Sequence, residues 1–134
     1  MYLWICMLAT LLVACDENEV MPAYSKKGTA TATMASIAAS TTTPLPSENI
    51  TLTIKFVNPS SDPLSQITVK AQVGAEAYAD IQTFNVQSEQ KDKEITQTVN
   101  YVVPATAGTK VTFDMVITSQ KEYPQVKRTS VTVQ

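Results

Sequence analysis

From Ser47 to the C-terminus the chain alternates apolar and polar residues in short runs separated by turn signals. Ile50, Leu52, Ile54 and Phe56 interleave with Thr51, Thr53 and Lys55, the pattern of a half-buried strand. Asn58-Pro59-Ser60-Ser61-Asp62-Pro63 is a dense turn signal. Ile67, Val69, Ala71 and Val73 then alternate with Thr68, Lys70 and Gln72 until Gly74 breaks the run. Residues 81–86 predict a short strand, and the polar residues 88–94 a hairpin-like connection. Ile95, Val99, Tyr101 and Val103 share one parity, with Gln97 the exception. Residues 104–109 form the next turn, where Gly108 is free to take positive φ. Val111, Phe113, Met115 and Ile117 alternate again, and Phe113 is the largest expected core side chain of that strand. After a turn over 119–124, Val131 and Val133 mark a last strand beginning near Val126.

Composition sharpens this picture. Beyond residue 14 the chain holds 13 Val and 7 Ile against 3 Leu, together with 18 Thr. β-branched side chains are stiff at χ1 and suit a pleated surface, whereas a helical domain of this size would be rich in Leu. Six or seven short strands, each with one apolar face, predict an all-β two-sheet sandwich. Residues 29–43, rich in Thr, Ala and Ser, admit three readings. Alternation of Ala30, Ala32 and Met34 with Thr29, Thr31 and Thr33 predicts a first edge strand through about Ser36. The composition alone fits a linker, and the Ala content allows a short helix over 34–39. The edge strand, followed by a loop closed by Pro44 and Pro46, is preferred.

The segment Val102-Val103-Pro104-Ala105-Thr106-Ala107-Gly108-Thr109-Lys110-Val111-Thr112-Phe113 resembles the turn before the penultimate strand of bacterial extracellular immunoglobulin-like domains. Residues 111–133, two strands around a polar turn, continue that pattern. The resemblance covers most of residues 47–134 and implies an immunoglobulin-like sandwich with no ligand set. The Cys pair and core Trp of antibody-type domains are absent from the segment, as are the Asp-rich calcium motifs of cadherin-type repeats.

The start of the chain obeys a different pattern. All 22 charged residues lie at or after Asp16, and 13 of the first fourteen residues are hydrophobic. Such a run is shorter than the roughly 20 residues that span a bilayer, but it matches the apolar core of a secretory leader. It ends Leu12-Val13-Ala14-Cys15, which resembles the lipobox of bacterial lipoprotein signal peptides. The resemblance implies cleavage after Ala14, a diacylglyceryl thioether on Cys15 and usually an acylated new amine. A small residue at Ala14 admits the peptidase, and a thiolate is the nucleophile that takes the lipid. Two or three acyl chains make a stable anchor where one is marginal. The family carries Lys or Arg before the apolar run, whereas Met1-Tyr2 supplies only an amino terminus; a natural start upstream would account for this. Cys6 lies inside the leader, so it is no disulfide partner for Cys15.

Asp16, Glu17 and Glu19 follow at once. An acidic cluster here resembles the signal that sends some Gram-negative lipoproteins to the outer face of the outer membrane. Asp directly after the Cys is elsewhere associated with inner-membrane retention. Three acids in four residues favour the outer membrane and surface exposure. The expected organisation is a leader over 1–14, a lipidated tether over 15–28 and a β-sandwich over 29–134.

Candidate chemistry is sparse. A net charge of −2 offers nothing to neutralise a run of phosphates, so no nucleic-acid partner is expected. No His is present, which removes the commonest general base and metal ligand. No metal or other cofactor is implied. Ser88-Glu89-Gln90-Lys91 has the spacing of a Ser–Lys pair but sits in a polar connection rather than a sheltered helix. Glu76 with Asp80, and Asp92 with Glu94, read as solvated loop charges rather than a hydrolytic pair. Lys121, Lys127 and Arg128 form a mild basic cluster. Gly28, Gly74 and Gly108 are isolated, so there is no phosphate loop. The chain is therefore not expected to be an enzyme. The partners expected are membrane lipid through Cys15 and an outer-membrane protein or a glycan. For a glycan, the loop aromatics Tyr78 and Tyr123 are the candidate contacts.

Overall fold

A computed structural model describes residues 35–87, 91–120 and 124–134. Seven strands make up the regular structure: β1 (Ala35–Ala39), β2 (Asn49–Val57), β3 (Leu64–Val73), β4 (Ala79–Asn85), β5 (Glu94–Val102), β6 (Lys110–Ser119) and β7 (Pro124–Thr132). They form a three-stranded sheet in the order β1-β2-β5 and a four-stranded sheet in the order β4-β3-β6-β7. Every pairing is antiparallel. This is the expected immunoglobulin-like two-sheet sandwich. The chain passes between sheets from β2 to β3, from β4 to β5 and from β5 to β6.

Alternation puts the apolar parity of each strand inside. Ile50, Leu52, Ile54 and Phe56 of β2 face Ile67, Val69 and Ala71 of β3, and Val111, Phe113, Met115 and Ile117 of β6, in one core. All four of those β6 residues are fully buried. Tyr101 at the end of β5 packs edge-to-face on Phe113, with ring centroids 5.0 Å apart. Ile95 and Val99 supply the rest of the buried face of β5.

Most of the expected N-terminal edge strand falls on residues that are not described. Residues 29–34 lie outside the described residues, and β1 runs over Ala35–Ala39, where the Ala content had also allowed a helix. The free edge of β2 decides the matter. Ile37 drops into the core opposite Ile54, and the backbone of β1 completes the β2 ladder. Tertiary pairing outweighs a weak helical propensity.

Gly74 and Gly108 take φ of 56° and 79°. A Cβ at either would meet nothing within 4 Å, so the left-handed backbone, rather than space, calls for glycine. Each donates its N–H to a distant segment at the end of a strand pair, Gly74 to the Lys110 carbonyl and Gly108 to the Val133 carbonyl, both at 2.8 Å.

Candidate functional site

The outward face of the four-stranded sheet carries a row of alternating charge. The registers place Asp80 of β4 beside Lys70 of β3, Lys70 beside Asp114 of β6, and Asp114 beside Arg128 of β7. Lys70 Nζ lies 3.0 Å from Asp80 Oδ1. Arg128 donates through Nε to Asp114 Oδ1 at 2.6 Å and through Nη2 to Asp114 Oδ2 at 2.8 Å. This is the two-pronged guanidinium–carboxylate geometry, stronger and more directional than a single contact.

Asp114 is buried although its parity points away from the core. Tyr78, half-buried and just ahead of β4, has its ring centroid 5.9 Å from the Arg128 guanidinium carbon. It forms a cation–π contact there. The Arg128 hydrogen bonds hold the Asp114 carboxyl below its ordinary value against the opposing effect of burial, and the Tyr78 hydroxyl adds to the same shift. Asp114 in turn raises Arg128 above its already high value. The result is a planar donor–acceptor pair beside an aromatic ring on an otherwise Thr- and Gln-rich sheet face.

A second polar cluster ties the loops at one end of the sandwich. Buried Asn58 accepts the Leu64 N–H on Oδ1 at 2.8 Å and donates Nδ2 to the Gln87 carbonyl at 3.4 Å. The Asn58 carbonyl accepts the Asp92 N–H at 2.8 Å. Asp92, at φ 57°, accepts the Ser60 N–H at 3.0 Å and the Ser60 hydroxyl at 2.7 Å. Those bonds, the hydroxyl first, lower the Asp92 pKa.

The residues singled out in the sequence fall as follows. Leu12, Val13, Ala14, Cys15, Asp16, Glu17, Glu19, Tyr123, Lys121 and residues 88–90 lie outside the described residues. Tyr78 meets Asp114 and Arg128, two residues not connected to it by any sequence motif. They lie 14 residues apart and face each other across the β6–β7 hairpin, so only strand register reveals the pair. Asp80 pairs with Lys70, and Asp92 with Ser60. Lys127 and Arg128 occupy opposite faces of β7, so these two do not act as one basic cluster. Among the described residues, no group of three or more His, Cys, Asp or Glu side chains could hold a metal ion.

No protein-family model matches the chain, and no curated protein matches it. Solved structures do. The superoxide reductase (neelaredoxin) from Ignicoccus hospitalis matches at a TM-score of 0.60 and 7% identity, over 75% of this chain and 80% of that one. A single-substitution variant of the same protein matches at a TM-score of 0.56 and 6% identity, over 77% and 83% of the respective chains. At this identity the likeness is one of fold. It corrects the expectation that the chain is not an enzyme. The sandwich is shared with an enzyme, so the fold does not set this domain apart from catalytic ones.

Proposed function

We propose that the chain is a lipid-anchored cell-envelope protein that presents one immunoglobulin-like domain as a binding, adhesion or spacer module. The observation that carries this reading is Leu12-Val13-Ala14-Cys15 at the end of an uncharged apolar run, followed by Asp16, Glu17 and Glu19. Cys15 takes the lipid, residues 15–28 act as the tether, and the acidic cluster directs the protein to the outer membrane and its exterior. The described strands from β1 onward share one core, which suits a domain carried on a tether. Metabolic labelling with an acyl-chain analogue tests the anchor. Label is expected on the unsubstituted chain and lost in Cys15→Ser; equal label on both refutes it.

A glycan-binding accessory role is a second reading, favoured by the Tyr78–Asp114–Arg128 arrangement. Sugars are held by aromatic faces together with planar carboxylate and guanidinium groups that match paired hydroxyls. Glycan-array binding that disappears in Tyr78→Ala and Arg128→Ala would support it, and binding indifferent to both would remove it.

A further inference from the structure

A sandwich of two open sheets has four edge strands, and exposed edges invite unwanted pairing unless they are blocked. Three of the four are blocked here. β1 is only five residues long and packs alongside β7. β7 opens with Pro124, which has no N–H, and turns Lys127 toward the core side. Its C-terminal end is covered, because the Thr132 and Gln134 N–H groups donate to the Thr42 and Pro44 carbonyls, both at 2.9 Å. β4 is interrupted by a bulge: Val69 pairs with Gln82 and Lys70 with Asp80, leaving Ile81 as the extra residue.

β5 has none of these devices. It runs nine residues in unbroken register with β2 and contains neither Pro nor Gly. Its only charge is Glu94, at the first position. The Val103 N–H donates to the Glu48 carbonyl at 3.0 Å, which sets the phase of the ladder. Odd-numbered residues of β5 bond to β2, so Glu94, Thr96, Thr98, Asn100 and Val102 turn their N–H and C=O groups to the other side. Among the described residues, no backbone group bonds to that side.

We infer that the free edge of β5 is the interface for a second copy of this chain, joined antiparallel across a two-fold axis at Thr98. The strand is self-complementary in that register. Thr98 meets Thr98 of the second copy, Thr96 meets Asn100, and Glu94 meets Val102. All five residues that face the edge therefore bond in the productive phase, giving about ten backbone hydrogen bonds. The two Glu94 carboxylates stand about eight residues apart along the strand, roughly 27 Å, so they do not repel strongly. Val102, 60% exposed in the single chain, gains the Glu94 side-chain stem as a neighbour. The product is one continuous six-stranded sheet, β1-β2-β5 joined to β5-β2-β1 of the second copy. The pairing is independent of the lipid anchor.

The full chain carrying Thr98→Cys tests it directly. With Cys6→Ser and Cys15→Ser as the background, mild oxidation of Thr98→Cys is expected to give a disulfide-linked dimer, whereas Ser130→Cys, on the β7 edge, gives none in that background. Sedimentation of the full chain in mild detergent is expected to show a dimer. Thr98→Lys, which sets two like charges face to face on an exposed site, should weaken it by about tenfold or more. Thermal unfolding of Thr98→Lys shows that the domain itself is intact. A chain that stays monomeric at every concentration, a dimer indifferent to Thr98→Lys, or Thr98→Cys cross-links only to another protein would overturn the inference.

Discussion

The two sheets share one core but present opposite kinds of outer surface. On the four-stranded sheet, Asp80, Lys70, Asp114 and Arg128 form a row whose central carboxylate is buried under its partners. On the three-stranded sheet, the outward residues of β2 and β5 are mainly Thr51, Thr53, Thr96, Thr98 and Asn100. Their one ion pair, Lys55 with Glu94, is long at 3.9 Å and well exposed on both sides. The first surface is held in place by directional charge. The second is plain, and its β5 edge is unguarded. Identical strand stereochemistry thus yields a surface suited to holding a defined arrangement and one suited to adding a strand.

The largest effect that bears on this comparison comes from beneath both surfaces. Phe113→Ala empties the centre of the shared core and is expected to cost about 3–5 kcal/mol, read by chemical denaturation. A loss below about 1 kcal/mol would mean that the two sheets do not depend on a common core.

Next comes the charged row. Asp114→Ala should cost about 1 kcal/mol, because its partner Arg128 is largely exposed and can return to water. Arg128→Ala should be the more damaging of the two, since it leaves the buried carboxylate without its donors. The reverse order in denaturation midpoints would mean that the row is merely solvated charge.

Acid sharpens the same contrast. Asp114 and Asp92 both have folded pKa values below the unfolded value of about 3.9. Their stabilisation is complete above that value and is lost as the pH falls through the folded values. Asp114→Asn should therefore flatten the acid limb of a thermal-midpoint-against-pH curve. An unchanged limb would remove Asp114 from the account.

The smallest effect belongs to the plain sheet. Lys55→Ala should change stability by no more than about 0.5 kcal/mol, and added salt should shrink that difference further. A cost matching that of Asp114→Ala would erase the distinction between the two surfaces.

Much of the core was visible in the alternation. The odd-numbered face of β6 and the even-numbered face of β2 could be read directly, as could the turns at Gly74 and Gly108. β1 was harder to read, because five residues of Ala, Ser and Ile carry little pattern until β2 offers them an edge. Of the polar site, Tyr78 was recognisable as a loop aromatic, but Asp114 was hidden inside an apolar run and Arg128 among neighbouring basic residues.

By itself the sequence determined the β class, the inward parity of the main strands and the expectation of a lipid anchor at Cys15. Each depends on local spacing: a two-residue side-chain period for the strands, and four adjacent residues for the lipobox. Only the tertiary structure decided that β4 joins β3, that Tyr78 meets Arg128 across the sheet, and that β5 keeps an open edge. The physical reason is that alternation specifies which face a side chain takes but not which strand lies beside it. Neighbours are chosen when distant segments close on a common core, and the outward face and the free edges are set by that choice.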